Sequence, residues 1–330
     1  MRAFRGYALH QGVAVTRAIF RTGRSEPNAG ASDAGAPVAR GQLSKGAERT
    51  LREQDLLDAI ERIPSLPTVV TEILRLARVP TTSARELEDV LQTDMALAGR
   101  LLKLVNSTFY ALPTKIANLG QAVGIVGIDS LRSLVLASST SGFFAIDASV
   151  YGFVPQGLWK HSIATAGLLR RLALIQGRGR DEAEDLFVGA LLRDIGMIVL
   201  APFLTAASAR FVSSVDGVIA QERAAIGFDH VWVGQRLAQR WNLPPDLTEI
   251  LVHHHDTPSA SGDASAQRLA LVGVADAMVT RSHIGLGPSH GFSSDLPVAM
   301  VRAAGITATQ LAKTIHDMPE VMALVAQELG

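Results

Sequence analysis

Ser83-Ala84-Arg85-Glu86-Leu87-Glu88-Asp89-Val90-Leu91-Gln92-Thr93-Asp94-Met95-Ala96-Leu97-Ala98-Gly99-Arg100-Leu101-Leu102-Lys103-Leu104-Val105 reads as two helices in tandem, each with its own start signal. Ser83 and Glu86 have capping-box spacing: the serine oxygen can accept from a backbone N–H, and the glutamate can reach back to the serine N–H. Leu87, Val90 and Leu91 follow at helical spacing. Asp94 is placed to cap the second helix, whose Leu97, Leu101, Leu104 and Val105 share one face. Both segments bury a stripe rather than an alternating face, so they need helical neighbours.

The same pattern extends in both directions. Ser65-Leu66-Pro67 opens a helix with Val70, Ile73, Leu74 and Ala77 on one face. Gly120 to Ala137 reads as two short helices broken at Gly127-Ile128-Asp129. Thr307-Ala308-Thr309-Gln310 is a further capping box, opening a C-terminal helix. From about Leu51 onward no stretch alternates with period 2. Thr257 to Ala266 reads as a linker and Gly285 to Leu296 as a surface loop. The expected fold class is all-α, a multi-helix bundle.

Composition narrows the function. Among 330 residues, 48% are apolar, enough for a sizeable core, and 31 basic residues balance 31 acidic ones. That balance argues against a general nucleic-acid or membrane-surface binder. Arg100, Lys103 and Arg132 are dispersed with few aromatics nearby, so the charge pattern argues against a nucleic-acid partner. The absence of cysteine excludes disulfides, thiolate metal sites and a thiol nucleophile. It agrees with a reducing, cytoplasmic setting. No uninterrupted apolar run is long enough for a membrane span. Residues 1–47 carry Arg2, Arg5, Arg17, Arg21, Arg24, Arg40 and Lys45 around a Gly-, Ala-, Ser- and Pro-rich stretch, and are expected to form a flexible basic tail. No phosphate-cradling glycine loop and no Gly-x-Ser-x-Gly elbow is present.

Two groups of motifs occur in a fixed order. The first is Ile63-Pro64-Ser65-Leu66-Pro67, Val90-Leu91-Gln92-Thr93-Asp94, Leu101-Leu102-Lys103-Leu104-Val105-Asn106-Ser107, Gln121-Ala122-Val123 through Gly127, and Leu131-Arg132-Ser133-Leu134-Val135. The second is Trp159-Lys160-His161, Leu191-Leu192-Arg193-Asp194-Ile195-Gly196, Phe228-Asp229-His230-Val231-Trp232, His254-His255 and Val274-Ala275-Asp276-Ala277. Together they resemble the HDOD family, the HD-related output domains of bacterial signalling proteins, over roughly Ile60 to Arg281. The resemblance implies an all-α, HD-like bundle with an N-terminal helical half. The expected organisation is a tail at 1–47, the N-terminal half at 48–148, a degenerate HD-like half at 149–283, and a C-terminal loop with helices at 284–330.

The resemblance also assigns vestigial HD-site positions: His161, Arg193, Asp194, His230, His254, His255 and Asp276. Imidazoles and carboxylates from several helices are what a hydrolytic metal site needs. Arg193 stands where the His-Asp doublet has its histidine, and a guanidinium has no lone pair for a metal. Gly157 stands where related phosphodiesterases carry an acid, and Met197 where they carry a lysine. Arg193 is expected to pair with Asp194 or Asp276 and stand in for a cation. No metal, no cofactor and no catalytic residue is expected. His161, Asp194 and His230 each retain an ordinary packing or capping reading. His253, His254 and His255 cannot all face one site, because neighbours on a helix point ~100° apart. His10, His283, His290 and His316 have no informative context. Trp159, Trp232 and Trp241 are expected in the core. Asn106-Ser107 reads as a helix end, or as a lining of the cleft between the halves. The functional expectation is a non-catalytic signal-transduction domain that binds a signalling protein partner or a small ligand. The alternative is a residual metal-dependent phosphohydrolase acting on a nucleotide or cyclic dinucleotide.

Overall fold

The computed structural model describes residues 51–314 except 78, 80, 107–114, 212–216, 257–262 and 293–297. The expected basic tail, Ser107, His10, His316 and most of the 257–266 linker lie outside the described residues. Among the described residues the protein is helical, with a lone antiparallel bridge between Phe153 and Leu286 and no strand.

Six helices precede the site: α1 (Glu53–Arg62), α2 (Thr68–Leu76), α3 (Ala84–Leu91), α4 (Met95–Val105), α5 (Leu119–Val126) and α6 (Ile128–Thr140). Ser83 and Glu86 form the capping box at α3 with both reciprocal bonds, and the Asp94 carboxylate caps α4 through the Leu97 N–H at 2.9 Å. Gly127, at φ 84°, separates α5 from α6; this left-handed position favours glycine. Asn106 ends α4. Its amide donates to Leu102 O and Ile116 O, and its oxygen accepts from Ile116 N–H. It therefore ties the end of α4 to Ile116.

Seven further helices build the second half: α7 (Gly157–Ile175), α8 (Arg180–Leu192), α9 (Met197–Ala206), α10 (Gly217–Ile226), α11 (His230–Arg240), α12 (Pro245–His253) and α13 (Ala264–Arg281). A short α14 (Val298–Ala303) packs on α13. Helix α8 is the axis of this half, packed against α6, α7 and α12. Its Leu186, Phe187, Val188, Ala190, Leu191 and Leu192 are all buried. The stretch Arg180–Ala206 has the length and hydropathy of a membrane span, and 94% of its apolar window lies inside the fold, as a core helix does. Arg193 and Asp194 interrupt that run in the sequence.

The halves meet along α6 and along α1, which packs on α9 and α11. The Trp241 indole N–H donates to Pro64 O at 3.3 Å, and Arg240 donates to Glu61 O at 3.1 Å. At the α6 side, buried Glu184 accepts from Ser130 Oγ at 2.9 Å and from Arg170 Nε at 2.7 Å.

Two expectations need correcting. Trp159 and Trp241 are buried, but Trp232 is only half-buried: it packs at the edge of the core beside Phe228, and the Arg236 guanidinium lies 3.3 Å above its ring. Such a cation over an indole is itself favourable. The stretch read as a surface loop from Gly285 turns inward. Ile284 and Leu286 are buried, Gly287 N–H donates to Gly152 O, and Phe292 lies against Phe153.

Candidate metal centre

Five segments converge. Helix α7 brings His161, the turn after α8 brings Arg193 and Asp194, the start of α11 brings His230, the end of α12 brings His254 and His255, and α13 brings Asp276. Two glycines permit the approach. A Cβ on Gly196 would lie 2.0 Å from His230 O, so the turn after Asp194 can touch the start of α11 only without a side chain. A Cβ on Gly157 would lie 2.0 Å from Gly285 O. The first turn of α7 is thus closed by backbone at Gly157.

All seven sequence-assigned positions come together, in two groups that share Asp194. In the first, Arg193 is 1% exposed. Its Nη1 donates to Ala190 O at 2.8 Å, and its Nη2 pairs with Asp194 Oδ2 at 2.9 Å and with Asp276 Oδ1. The expected surrogate pairing is therefore made with both carboxylates. His161 completes this group, with Nδ1 donating to Ile284 O at 3.1 Å and Nε2 3.0 Å from Asp276 Oδ1. Burial by itself would raise the two carboxyls. Arg193, together with His254 and His230 at Asp194 and with His161 at Asp276, outweighs it, and both are held below the usual carboxylate range.

The second group is Asp194, His230, His254 and His255, with one donor atom from each lying within 4.8 Å of the others. His254 Nε2 is 3.3 Å and His230 Nε2 3.7 Å from Asp194 Oδ1. His230 Nε2 is 3.4 Å from His254 Nε2 and 3.0 Å from His255 Nε2. His253 points away, to Asp256 at 2.7 Å.

The tautomers follow from the outer partners. His254 Nδ1 faces the Ile250 and Leu251 carbonyls at 3.1 and 3.2 Å, which only accept. His230 Nδ1 faces Glu222 Oε2 at 2.8 Å. Both rings therefore carry their proton on Nδ1 and turn an Nε2 lone pair inward. Lone pairs at such separations repel unless a proton or a cation lies between them. Tetrahedral ligands at metal–nitrogen distances of about 2.0–2.1 Å stand about 3.3 Å from one another. These four separations bracket that value, so the quartet fits a divalent cation of the imidazole-preferring kind, such as zinc or ferrous iron. His255 agrees with ligation. Although the residue is exposed overall, its ring end turns inward; desolvation there, followed by His254 and His230, holds it well below the ordinary histidine range.

Sequence reasoning assigned no role to Glu222 or Tyr151. Both are fully buried, and the Tyr151 hydroxyl donates to Glu222 Oε1 at 2.5 Å. Glu222 lies between Gln221 and Arg223, where an acid reads as part of a solvated helix face, so no local signal marks it.

A family model for the HDOD domain matches residues 63–257. Solved structures share the fold. An HDOD domain protein of unknown function from Geobacter sulfurreducens is 23% identical, with a TM-score of 0.61 over 79% of this chain and 92% of that one. A candidate phosphohydrolase from Shewanella amazonensis SB2B is 22% identical, with a TM-score of 0.60 over 82% and 97%. A candidate signal transduction protein from Marinobacter aquaeolei VT8 is 18% identical, with a TM-score of 0.62 over 86% and 63%. A curated relative from Treponema pallidum (strain Nichols), itself uncharacterized, is 26% identical over 215 residues, which span 62% of this chain but only 40% of that protein.

Proposed function

Because the chain belongs to the HDOD family, we propose that it is a regulatory domain that cleaves no phosphoester and acts by binding a signalling protein or a small ligand. The observation that carries this reading is Arg193. Its guanidinium, 1% exposed, lies between Asp194 and Asp276, where a second hydrolytic cation would have to stand. At 4 Å a unit charge repels a divalent ion by about 8 kcal/mol at an effective dielectric of 20, before screening. Two-metal phosphoester chemistry has no room there.

The quartet of Asp194, His230, His254 and His255 would hold one divalent ion. When bound, such an ion can polarise a water or a phosphate oxygen. Asp194 divides its two oxygens between Arg193 and the quartet. His230 and His254 are oriented by Glu222 and by the last turn of α12. The quartet also supports a second reading, a residual phosphohydrolase with a single ion.

The test is elemental analysis of the full chain purified without chelators and incubated with Mn²⁺, Fe²⁺ or Zn²⁺. It is paired with hydrolysis assays on a generic phosphodiester and on cyclic dinucleotides. At most one ion per chain and no metal-dependent hydrolysis is expected. Turnover that depends on metal and is lost in Asp194→Asn would overturn the non-catalytic reading.

A further inference from the structure

We infer that Glu222 is a positioning residue which, with Tyr151, sets the His230 ring so that its Nε2 faces Asp194 before any ion arrives. The inference rests on reading the quartet as a metal site, but its central observable does not need the metal.

One carboxylate oxygen does two jobs. Glu222 Oε2 accepts from the His230 backbone N–H at 3.0 Å and from His230 Nδ1–H at 2.8 Å. His230 is the first residue of α11, so that backbone N–H is one of the donors a helix start leaves without an intrahelical partner. Binding the main chain and the ring to the same oxygen removes the ring's freedom to turn over. The other oxygen, Oε1, accepts from the Tyr151 hydroxyl at 2.5 Å. Burial, and then the Glu222 charge, push the tyrosine well above its ordinary range, so it keeps its proton and acts as the donor.

Charge supports the same assignment. Glu222 is fully buried, and among the described residues no lysine or arginine pairs with it; Arg223 turns instead to Asp229, at 2.5 Å. A buried carboxylate lacking a cation is costly even with three donors. Among the described residues, the group facing Glu222 that can bring positive charge to it is His230, through an ion on its Nε2. A carboxylate behind a metal-facing imidazole fixes the tautomer and makes the ring a better ligand.

The experiment compares wild type, Glu222→Ala, Glu222→Gln and Tyr151→Phe as full chains. In the metal-free protein, histidine ¹⁵N spectra are recorded at increasing alkaline pH until the His230 signals no longer change. The His230 signals are identified by their loss in His230→Asn. The Nδ1–H tautomer is expected in wild type. It should also persist in Glu222→Gln, whose amide oxygen can accept both His230 donors while its NH₂ faces Tyr151. In Glu222→Ala the population should move to Nε2–H. Titration with Co²⁺, followed by its visible absorption, should show about 10–100-fold weaker binding in Glu222→Ala and a smaller loss in Tyr151→Phe. An unchanged His230 tautomer in folded Glu222→Ala overturns the inference. If Glu222→Ala does not fold, Tyr151→Phe decides, since an unmoved His230 spectrum there overturns the Tyr151–Glu222–His230 linkage. A wild type that takes up no Co²⁺ refutes the metal reading alone, and the tautomer result still stands or falls by itself.

Discussion

Replacing Arg193 with methionine keeps most of the volume and removes the charge. The wild-type guanidinium is buried and touches both Asp194 and Asp276. Removing one partner of a buried ion pair leaves the other uncompensated, at a cost of about 3–5 kcal/mol. Asp194, 7% exposed in its side chain, carries most of that cost. Asp276, at 32%, carries less, because water can replace part of its pairing. For a domain of this size each kcal/mol moves the melting midpoint by about 2–4 °C, so a fall of roughly 6–20 °C is expected. Thermal and urea unfolding of metal-free protein at neutral pH measures it. The pH dependence has a definite sign. Both carboxyls are held below their unfolded value of about 3.9, so the stability they contribute is fully present above that value and is lost as pH falls through their folded range. The gap between wild type and Arg193→Met should therefore narrow below about pH 4. A gap under about 1 kcal/mol at neutral pH, the size of an exposed pair, would refute the surrogate-cation reasoning.

Further expectations concern the frame around the site. Gly157→Ala places a methyl 2.0 Å from Gly285 O, so backbone must shift; urea unfolding should show a loss of about 1–3 kcal/mol. Trp241→Phe deletes the indole donor to Pro64 O while keeping the stack on Phe143 at 5.5 Å between centroids. Denaturant unfolding should show about 1 kcal/mol lost, and amide exchange should increase around Ile63.

The parts of the fold legible in the sequence are those set by local chemistry. The Ser83–Glu86 box, the Asp94 cap and the break at Gly127 each depend on groups within a few residues, and each forms where expected. The candidate site is legible only as an ordered set of positions. Spacing along the chain brings His161, Arg193, Asp194, His230, His254, His255 and Asp276 to one place, but it does not divide them into two groups. That division depends on which oxygen of Asp194 meets which partner. The same division sets beside the expectation of no metal a donor set that could hold one. Glu222 was illegible because its burial comes from α10 lying across the start of α11, not from its neighbours in sequence. Trp232 misled for the opposite reason: apolar surroundings in sequence do not reveal that Arg236, four residues on, would cover its face.

The two groups differ in how their positive charge is supplied. Arg193 is part of the chain, so its pairing with Asp194 Oδ2 and Asp276 is independent of solution composition. Among the described residues, Asp194 Oδ1 and Glu222 face imidazoles and no guanidinium. Charge on that side must come from protons or from a bound ion. His230 shows the tension. Burial lowers its pKa, and Glu222, then Asp194, raise it further than burial lowers it. In the metal-free chain the stability from its proton is fully present below the unfolded value of about 6.5 and is lost as pH rises through the folded one. An ion bound to the quartet would replace that proton and stabilise the fold in proportion to the logarithm of its concentration above the dissociation constant. Arg193 therefore leaves one half of the site with a fixed charge and the other open to protons or an ion, with Asp194 as the residue common to both.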